Sequence, residues 1–231
     1  MINSNYSLTK EGTIYVVKDL FEQDFADKME DEIKKICKDW WSVVIFPANQ
    51  YFLKQVNRHY DHLDQDTDFI IQKKYNKDWF DSGNFAYTFK RDVGDHYPGC
   101  YCVQCNLRKY FDSDEVKDEL SKIVGKKVTK FENTFTSKYE NGDFLSMHSD
   151  LTNGDYAFVF QLTKDWNPVY GGLLNFYDSN TKEIYKTINP IFNSLVIFKI
   201  DDIITTNHFV SMNVSSHTRY AYSGWFSVSN E

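Results

Sequence analysis

The sequence predicts a mostly β protein with flanking helices: a sandwich or barrel in the second half, supported by helices from the first. Three observations carry this. After Gly125, six short runs with strand character follow one another. Turn residues separate them: Asn141-Gly142, Asn153-Gly154, Gly171-Gly172, Asp178-Ser179-Asn180 and Asn189-Pro190. Before Gly125 the apolar spacing is helical in two places.

The first helix is expected to begin near Asp19, with Glu22 three residues on in a capping-box pattern. Phe25, Met29, Ile33, Ile36, Cys37 and Trp40 then recur at helical intervals. Segments Gly83 to Arg91 and Gly99 to Leu107 read as strands that extend a sheet. The second helix starts near Asp112 or Ser113, puts Val116, Leu120, Ile123 and Val124 on one face, and stops at Gly125. The strands that follow are Lys127 to Tyr139, Tyr156 to Leu162, Leu173 to Tyr177, Ser194 to Ile200, His208 to Val214 and Arg219 to Val228. So many short strands imply a closed or two-layered sheet. The helical half should cover one open face of it. No repeat or linker divides residues 1–231, so one domain is expected, with 1–125 as the helical support and 126–231 as the barrel core.

A net charge of −7 disfavours nucleic acid or an anionic membrane as the main partner, since both need clustered positive charge. The N-terminus has no apolar signal core and no run is long enough to span a bilayer, so the expected location is cytoplasmic. Cys37, Cys100, Cys102 and Cys105 read as reduced thiols. A structural zinc site would normally show two Cys-x-x-Cys pairs, and His96 to Cys105 contains one. Asp64-Gln65-Asp66-Thr67-Asp68 opens like a calcium loop. Phe69 then stands in place of the loop glycine and Tyr75 in place of the bidentate glutamate, so it reads as a solvated acidic turn.

The residues that carry chemistry are His148-Ser149-Asp150, His208 and Arg219. Two imidazoles and one carboxylate can hold one face of an iron(II) ion and leave three positions open. That is enough for a bidentate 2-oxo acid and oxygen. A nearby arginine can grip the far carboxylate of such a cosubstrate. A second His-x-Asp, His59-Tyr60-Asp61, lies in a charged stretch without strand pattern and is set aside. His148 follows a strand-and-turn segment, and side chains two apart on extended backbone face the same way. The third ligand is His208 or His217. A hairpin of the last two strands would set His208 opposite Arg219 and leave His217 exposed in the turn, which favours His208.

With these residues in place, the sequence resembles the iron(II)- and 2-oxoglutarate-dependent oxygenases of the prolyl 4-hydroxylase-like group, and within it the catalytic domain of the ribosomal prolyl hydroxylases. The matching segments, in order, are Tyr139 to Asp150, Trp166 to Leu174, Asn189 to Phe198, His208 to Val214 and Arg219 to Phe226. The resemblance implies a double-stranded β-helix, a jelly-roll, cupin-like barrel. It implies His148, Asp150 and His208 as catalytic metal ligands for Fe(II), and Arg219 as the anchor of the distal 2-oxoglutarate carboxylate. Tyr139 is implied as a second contact to that cosubstrate and Trp225 as a cavity wall near the metal. The implied reaction is hydroxylation of an unactivated C–H bond by O2, with 2-oxoglutarate decarboxylated to succinate and ascorbate in support.

Asp150 favours hydroxylation over halogenation, because related halogenases have a small residue there. Trp225 stands where related nucleic-acid demethylases have a second arginine, which disfavours a nucleic-acid substrate. Peptidyl proline is the leading substrate. A free amino acid or small metabolite is the alternative, and a non-catalytic metal-binding barrel a third reading. The ribosomal enzymes carry a second barrel, which is not expected within these 231 residues. A monomer is expected.

Overall fold

The computed structural model describes residues 1–36, 40–47, 67–92, 99–151, 153–200 and 207–229. Cys37, His59, Asp61, Asp64 to Asp66 and His96 lie outside them.

Among the described residues, twelve strands and four α-helices follow in chain order: β1 (Ser7–Glu11), β2 (Ile14–Lys18), α1 (Gln23–Lys34), β3 (Trp41–Phe46), α2 (Thr67–Asp81), β4 (Tyr87–Asp92), α3 (Val103–Phe111), α4 (Asp114–Val124), β5 (Val128–Tyr139), β6 (Phe144–His148), β7 (Tyr156–Gln161), β8 (Leu174–Asp178), β9 (Glu183–Ile188), β10 (Ser194–Lys199), β11 (His208–Val210) and β12 (Arg219–Val228). The strands form one curled antiparallel sheet in the order β1-β2-β10-β7-β12-β5-β4-β6-β11-β8-β9, with β3 on β4. From β5 onward the chain passes back and forth between two walls, β10-β7-β12-β5 and β6-β11-β8-β9. That is the double-stranded β-helix. Strand β4 joins the walls, pairing with β5 at Lys90 and Arg91 and with β6 at Tyr87 and Thr88.

Strand alternation sorts the side chains into two cores. On β10, Leu195 and Ile197 face the helices, whereas Val196 and Phe198 face the barrel interior. Burial on both sides explains why this strand reads as an unbroken apolar run. The outer core joins Phe25, Met29 and Ile33 of α1, Leu107 and Phe111 of α3, and Leu120 of α4 to Phe158, Phe160, Tyr222 and Phe226 of the wall. Helices therefore cover one face of the sheet, as expected. The second predicted helix is α4, with Ser113 Oγ accepting from Val116 N and Gly125 closing it in the left-handed conformation.

Two expectations fail. The first helix starts at Gln23, not Asp19: Asp19 has φ 57°, and Glu22 is an N-cap without a side-chain bond. Its chain entry is held instead by Asn193, whose Oδ1 accepts from Phe21 N at 3.1 Å and whose Nδ2 donates to Phe21 O at 2.7 Å. The helix also stops at Lys34, and Trp40 is exposed beside β3. The expected strand Gly99 to Leu107 is mostly helix α3. Val103, Leu107 and Phe111, four apart, are buried, and helical spacing outweighs the apolar-rich look of Tyr101 to Val103. Among the described residues, no helix is long and apolar enough to cross a membrane.

Candidate active site

A cavity of about 280 Å³ opens inside the barrel. Every other residue of β12, from Arg219 through Ala221 and Ser223 to Trp225, lines it. So do Phe135, Ser137 and Tyr139 of β5, and Tyr87, Phe89 and Arg91 of β4. The period of two is the inward face of each strand.

His148 ends β6 and pairs in register with His208, which opens β11. The two imidazole centroids lie 4.2 Å apart. Asp150, two residues past His148, reaches both: Oδ1 is 3.7 Å from His148 Nε2 and Oδ2 is 3.5 Å from His208 Nε2. One ligand atom from each residue falls within 4.8 Å of the others. Asp150 and His208 are buried and His148 is partly buried.

The orientation of His148 is set from behind. Its Nδ1 lies 3.0 Å from Ser146 O, so Nδ1–H donates to that carbonyl and Nε2 keeps its lone pair for the cavity. Ser146 is fixed in turn by Ala86, whose N–H donates to Ser146 Oγ at 2.8 Å. The His208 ring stands edge-on to Phe198 at 4.7 Å. Two imidazole nitrogens and a carboxylate, with oriented lone pairs and an open cavity ahead of them, fit a divalent iron ion.

Arg219 is 2% exposed. Its Nη2 donates to Gln161 Oε1 at 3.1 Å, while Nε and Nη1 have no hydrogen-bond partner. Its guanidinium carbon lies 5.3 Å from the Tyr139 ring centroid. Among the described residues it forms no ion pair with a carboxylate. Burial pulls its pKa below the ordinary value, with Tyr139 acting in the opposite direction. A buried cation with two unfilled donors is costly unless something anionic completes it. The dicarboxylate 2-oxoglutarate supplies such a group. Gly172 permits the arrangement, since a Cβ there would sit 3.2 Å from Arg219 Cδ. Tyr139 stacks on Phe89 at 5.0 Å, and burial pushes its hydroxyl pKa up to about 12, against the pull of Arg219 and Arg91. It therefore stays a neutral phenol. The Trp225 indole Nε1 is buried without a partner.

The structure thus gathers His148, Asp150, His208, Arg219, Tyr139 and Trp225 around one cavity. His217 lies outside it, exposed and stacked on Tyr170 at 4.6 Å. The reasoning that chose His208 needs correction. Strands β11 and β12 do not form a hairpin: β11 pairs with β6 and β8, and β12 with β5 and β7. Arg219 stands opposite Tyr139, and His208 opposite His148. The link between them crosses the barrel end, where Asn213 Nδ2 donates to Tyr139 O and His217 O at 3.2 and 2.7 Å.

Sequence reading missed Gln161, Ser146 and Arg91. Gln161 acts through Arg219, 58 residues away, and Ser146 reaches His148 through its backbone carbonyl, so neither side chain left a local pattern. Arg91 did leave one, as the third member of the alternating set Tyr87, Phe89, Arg91. Its guanidinium carbon lies 3.8 Å from the Phe135 ring centroid.

Residues 134–227 match the family model for the 2OG-Fe(II) oxygenase superfamily. Over 126 residues the chain is 34% identical to a mouse (Mus musculus) protein, prolyl 3-hydroxylase OGFOD1. The match takes in 52% of this chain and 23% of that relative, so it spans less than a quarter of the relative's length. Among solved structures, a Pseudomonas putida prolyl-4-hydroxylase aligns over 87% of this chain and 97% of its own, at 16% identity and a TM-score of 0.44. A Trichoplax adhaerens prolyl hydroxylase, solved with a hypoxia inducible factor oxygen degradation domain peptide fragment, aligns over 90% and 94%, at 15% identity and a TM-score of 0.45.

Proposed function

From the premise that residues 134–227 form a 2OG-Fe(II) oxygenase superfamily domain, we propose that this chain is an iron(II)- and 2-oxoglutarate-dependent dioxygenase that hydroxylates an unactivated C–H bond of a peptidyl proline. One observation carries the reading. A His-Asp-His donor cluster shares a cavity with a buried arginine whose donors are incompletely used.

His148, Asp150 and His208 hold the iron, and Arg219 and Tyr139 hold the cosubstrate. Bound together, iron(II), 2-oxoglutarate and O2 supply the oxidising power, with carbon dioxide and succinate as coproducts and ascorbate as a supporting reductant. The chain's residues do the rest. Ser146 fixes the His148 tautomer, Phe198 restrains the His208 ring, and Gln161 aims Arg219. Phe135, Tyr139, Phe198 and Trp225 wall the reaction from water. Residues 1–125 act with the barrel as one unit, because β2 and β4 are built into its walls.

A peptide substrate is favoured by the aromatic side chains at the mouth. Phe85 lies 6.1 Å from the His148 ring and 5.6 Å from Tyr87, and Phe46 stacks on Tyr87 at 5.9 Å. Such surfaces suit an extended, proline-containing strand. Arg91 favours a second reading, hydroxylation of a small carboxylate-bearing metabolite or free amino acid. We place the reaction in the cytoplasm, and read the enzyme as a monomer acting on neither nucleic acid nor membrane. The test is mass spectrometry of proline-containing peptides and free amino acids incubated with the enzyme, iron(II) and 2-oxoglutarate. The expected product is a peptide heavier by one oxygen atom at proline. Oxygen incorporation into free amino acids alone would overturn the peptide assignment.

A further inference from the structure

The turn ahead of α3 gathers three cysteines that the oxygenase chemistry does not use. Cys100 and Cys102 precede the helix and Cys105 lies in its first turn. Their sulfurs all lie within 4.8 Å of one another. Two backbone amides already point at sulfur. Cys102 N donates to Cys100 Sγ at 3.5 Å, and Cys105 N donates to Cys102 Sγ at 3.4 Å. The thiols also hydrogen-bond among themselves.

We propose that Cys100, Cys102 and Cys105 together bind one zinc(II) ion, with the fourth position left to water or an exogenous ligand. Zinc–sulfur bonds of about 2.3 Å around a tetrahedral ion set the sulfurs about 3.8 Å apart. The sulfurs, within 4.8 Å of one another, are already close to that spacing. As each Zn–S bond forms, its thiol gives up one proton to solvent. Zinc keeps its oxidation state and no electrons move. The amide N–H groups stay on sulfur and share the negative charge of the thiolates.

The role is structural. Cys102 Sγ caps α3, and α3 braces β5: Gln104 Oε1 accepts from Thr136 N at 3.2 Å and from Thr136 Oγ1 at 2.9 Å. Strand β5 ends in Tyr139. Zinc therefore ties the turn before α3 to the helix that supports one wall of the cavity.

Cobalt(II) titration of the reduced full chain tests this, because thiolate-to-cobalt charge-transfer absorption reports sulfur ligands and is silent for a His-Asp-His site. The absorption is expected to appear and saturate, to persist in His148→Ala, and to be lost in Cys105→Ser and on adding zinc. Zinc should also raise the melting temperature of His148→Ala, but not that of the double variant His148→Ala/Cys105→Ser, in which both clusters are broken. Alkylation mapping needs no variant: zinc should protect Cys100, Cys102 and Cys105 together. Absence of the absorption, its survival in Cys105→Ser, full alkylation in zinc, or a Cys102–Cys105 disulfide forming in the presence of zinc would each overturn the assignment.

Discussion

Replacing Arg219 by methionine should weaken 2-oxoglutarate binding while leaving the ligand-free protein as stable as before, or more so. In the ligand-free chain Arg219 is buried with Nε and Nη1 unpartnered. Each buried donor left unsatisfied costs about 1–3 kcal/mol, and Arg219→Met removes both. Against this, Gln161 Oε1 loses its donor, which costs back about 1–3 kcal/mol. The melting temperature should therefore hold or rise, by about 2–4 °C per kcal/mol gained. Binding moves the other way. Removing one partner of a buried, hydrogen-bonded charge pair costs about 2–5 kcal/mol, or roughly 30- to 5000-fold in dissociation constant. The assay is anaerobic calorimetric titration of the iron-loaded protein with 2-oxoglutarate, alongside a thermal melt of the metal-free protein. A dissociation constant within about threefold of wild type would remove Arg219 from the cosubstrate site. A large fall in melting temperature would mark it as a structural residue.

Other substitutions probe the frame. Asn193→Ala leaves the buried Phe21 N–H and C=O without their partners and places alanine at φ 57°; chemical denaturation should read a loss of about 3 kcal/mol. Gly171→Ala, at φ 78°, would put its Cβ 2.0 Å from Met212 O. The backbone must move, so stability should fall by more than about 2 kcal/mol and 2-oxoglutarate affinity should drop with it, since Gly172 abuts Arg219. Burial pushes the Asp143 carboxyl up to about 6, overriding the opposing charge of Lys73 at 3.6 Å. The folded state then holds a proton that the unfolded state has released, so this group's stabilising contribution is present at low pH and lost as pH rises from about 4 to about 6. Asp143→Asn should flatten the melting-temperature profile across that window, and an unchanged slope would contradict the assignment.

The barrel was legible because its strands carry strong signals: continuous apolar runs such as Ser194–Lys199, which is buried on both faces, and turn residues between them. Helix α4 was legible because Ser113 and Gly125 cap it locally. Misreadings fell where distant partners decide. Asn193 fixes the entry to α1 from 172 residues away, so the local Asp19–Glu22 pattern misled. For α3, the four-residue spacing of Val103, Leu107 and Phe111 was present but was outweighed by the strand-like look of Gly99 to Val103. His148, Asp150, His208 and Arg219 were singled out by their chemistry, Tyr139 and Trp225 by resemblance, and all six line one cavity. Their spatial relation was not legible, because strand order in a jelly roll is set by pairing between walls and not by sequence neighbours. The expected His208–Arg219 hairpin is replaced by the pairs His208–His148 and Arg219–Tyr139.

The central claim is that His148, Asp150 and His208 hold an iron that works with 2-oxoglutarate bound at Arg219. Succinate formation tests it most directly, measured with iron(II), 2-oxoglutarate and oxygen in the wild-type chain and in single alanine variants. Turnover should require iron(II), disappear in His148→Ala and in His208→Ala, and survive largely intact in His59→Ala. Equal loss in His148→Ala and His59→Ala, or no 2-oxoglutarate turnover and no 2-oxoglutarate binding by the wild-type chain, would contradict it.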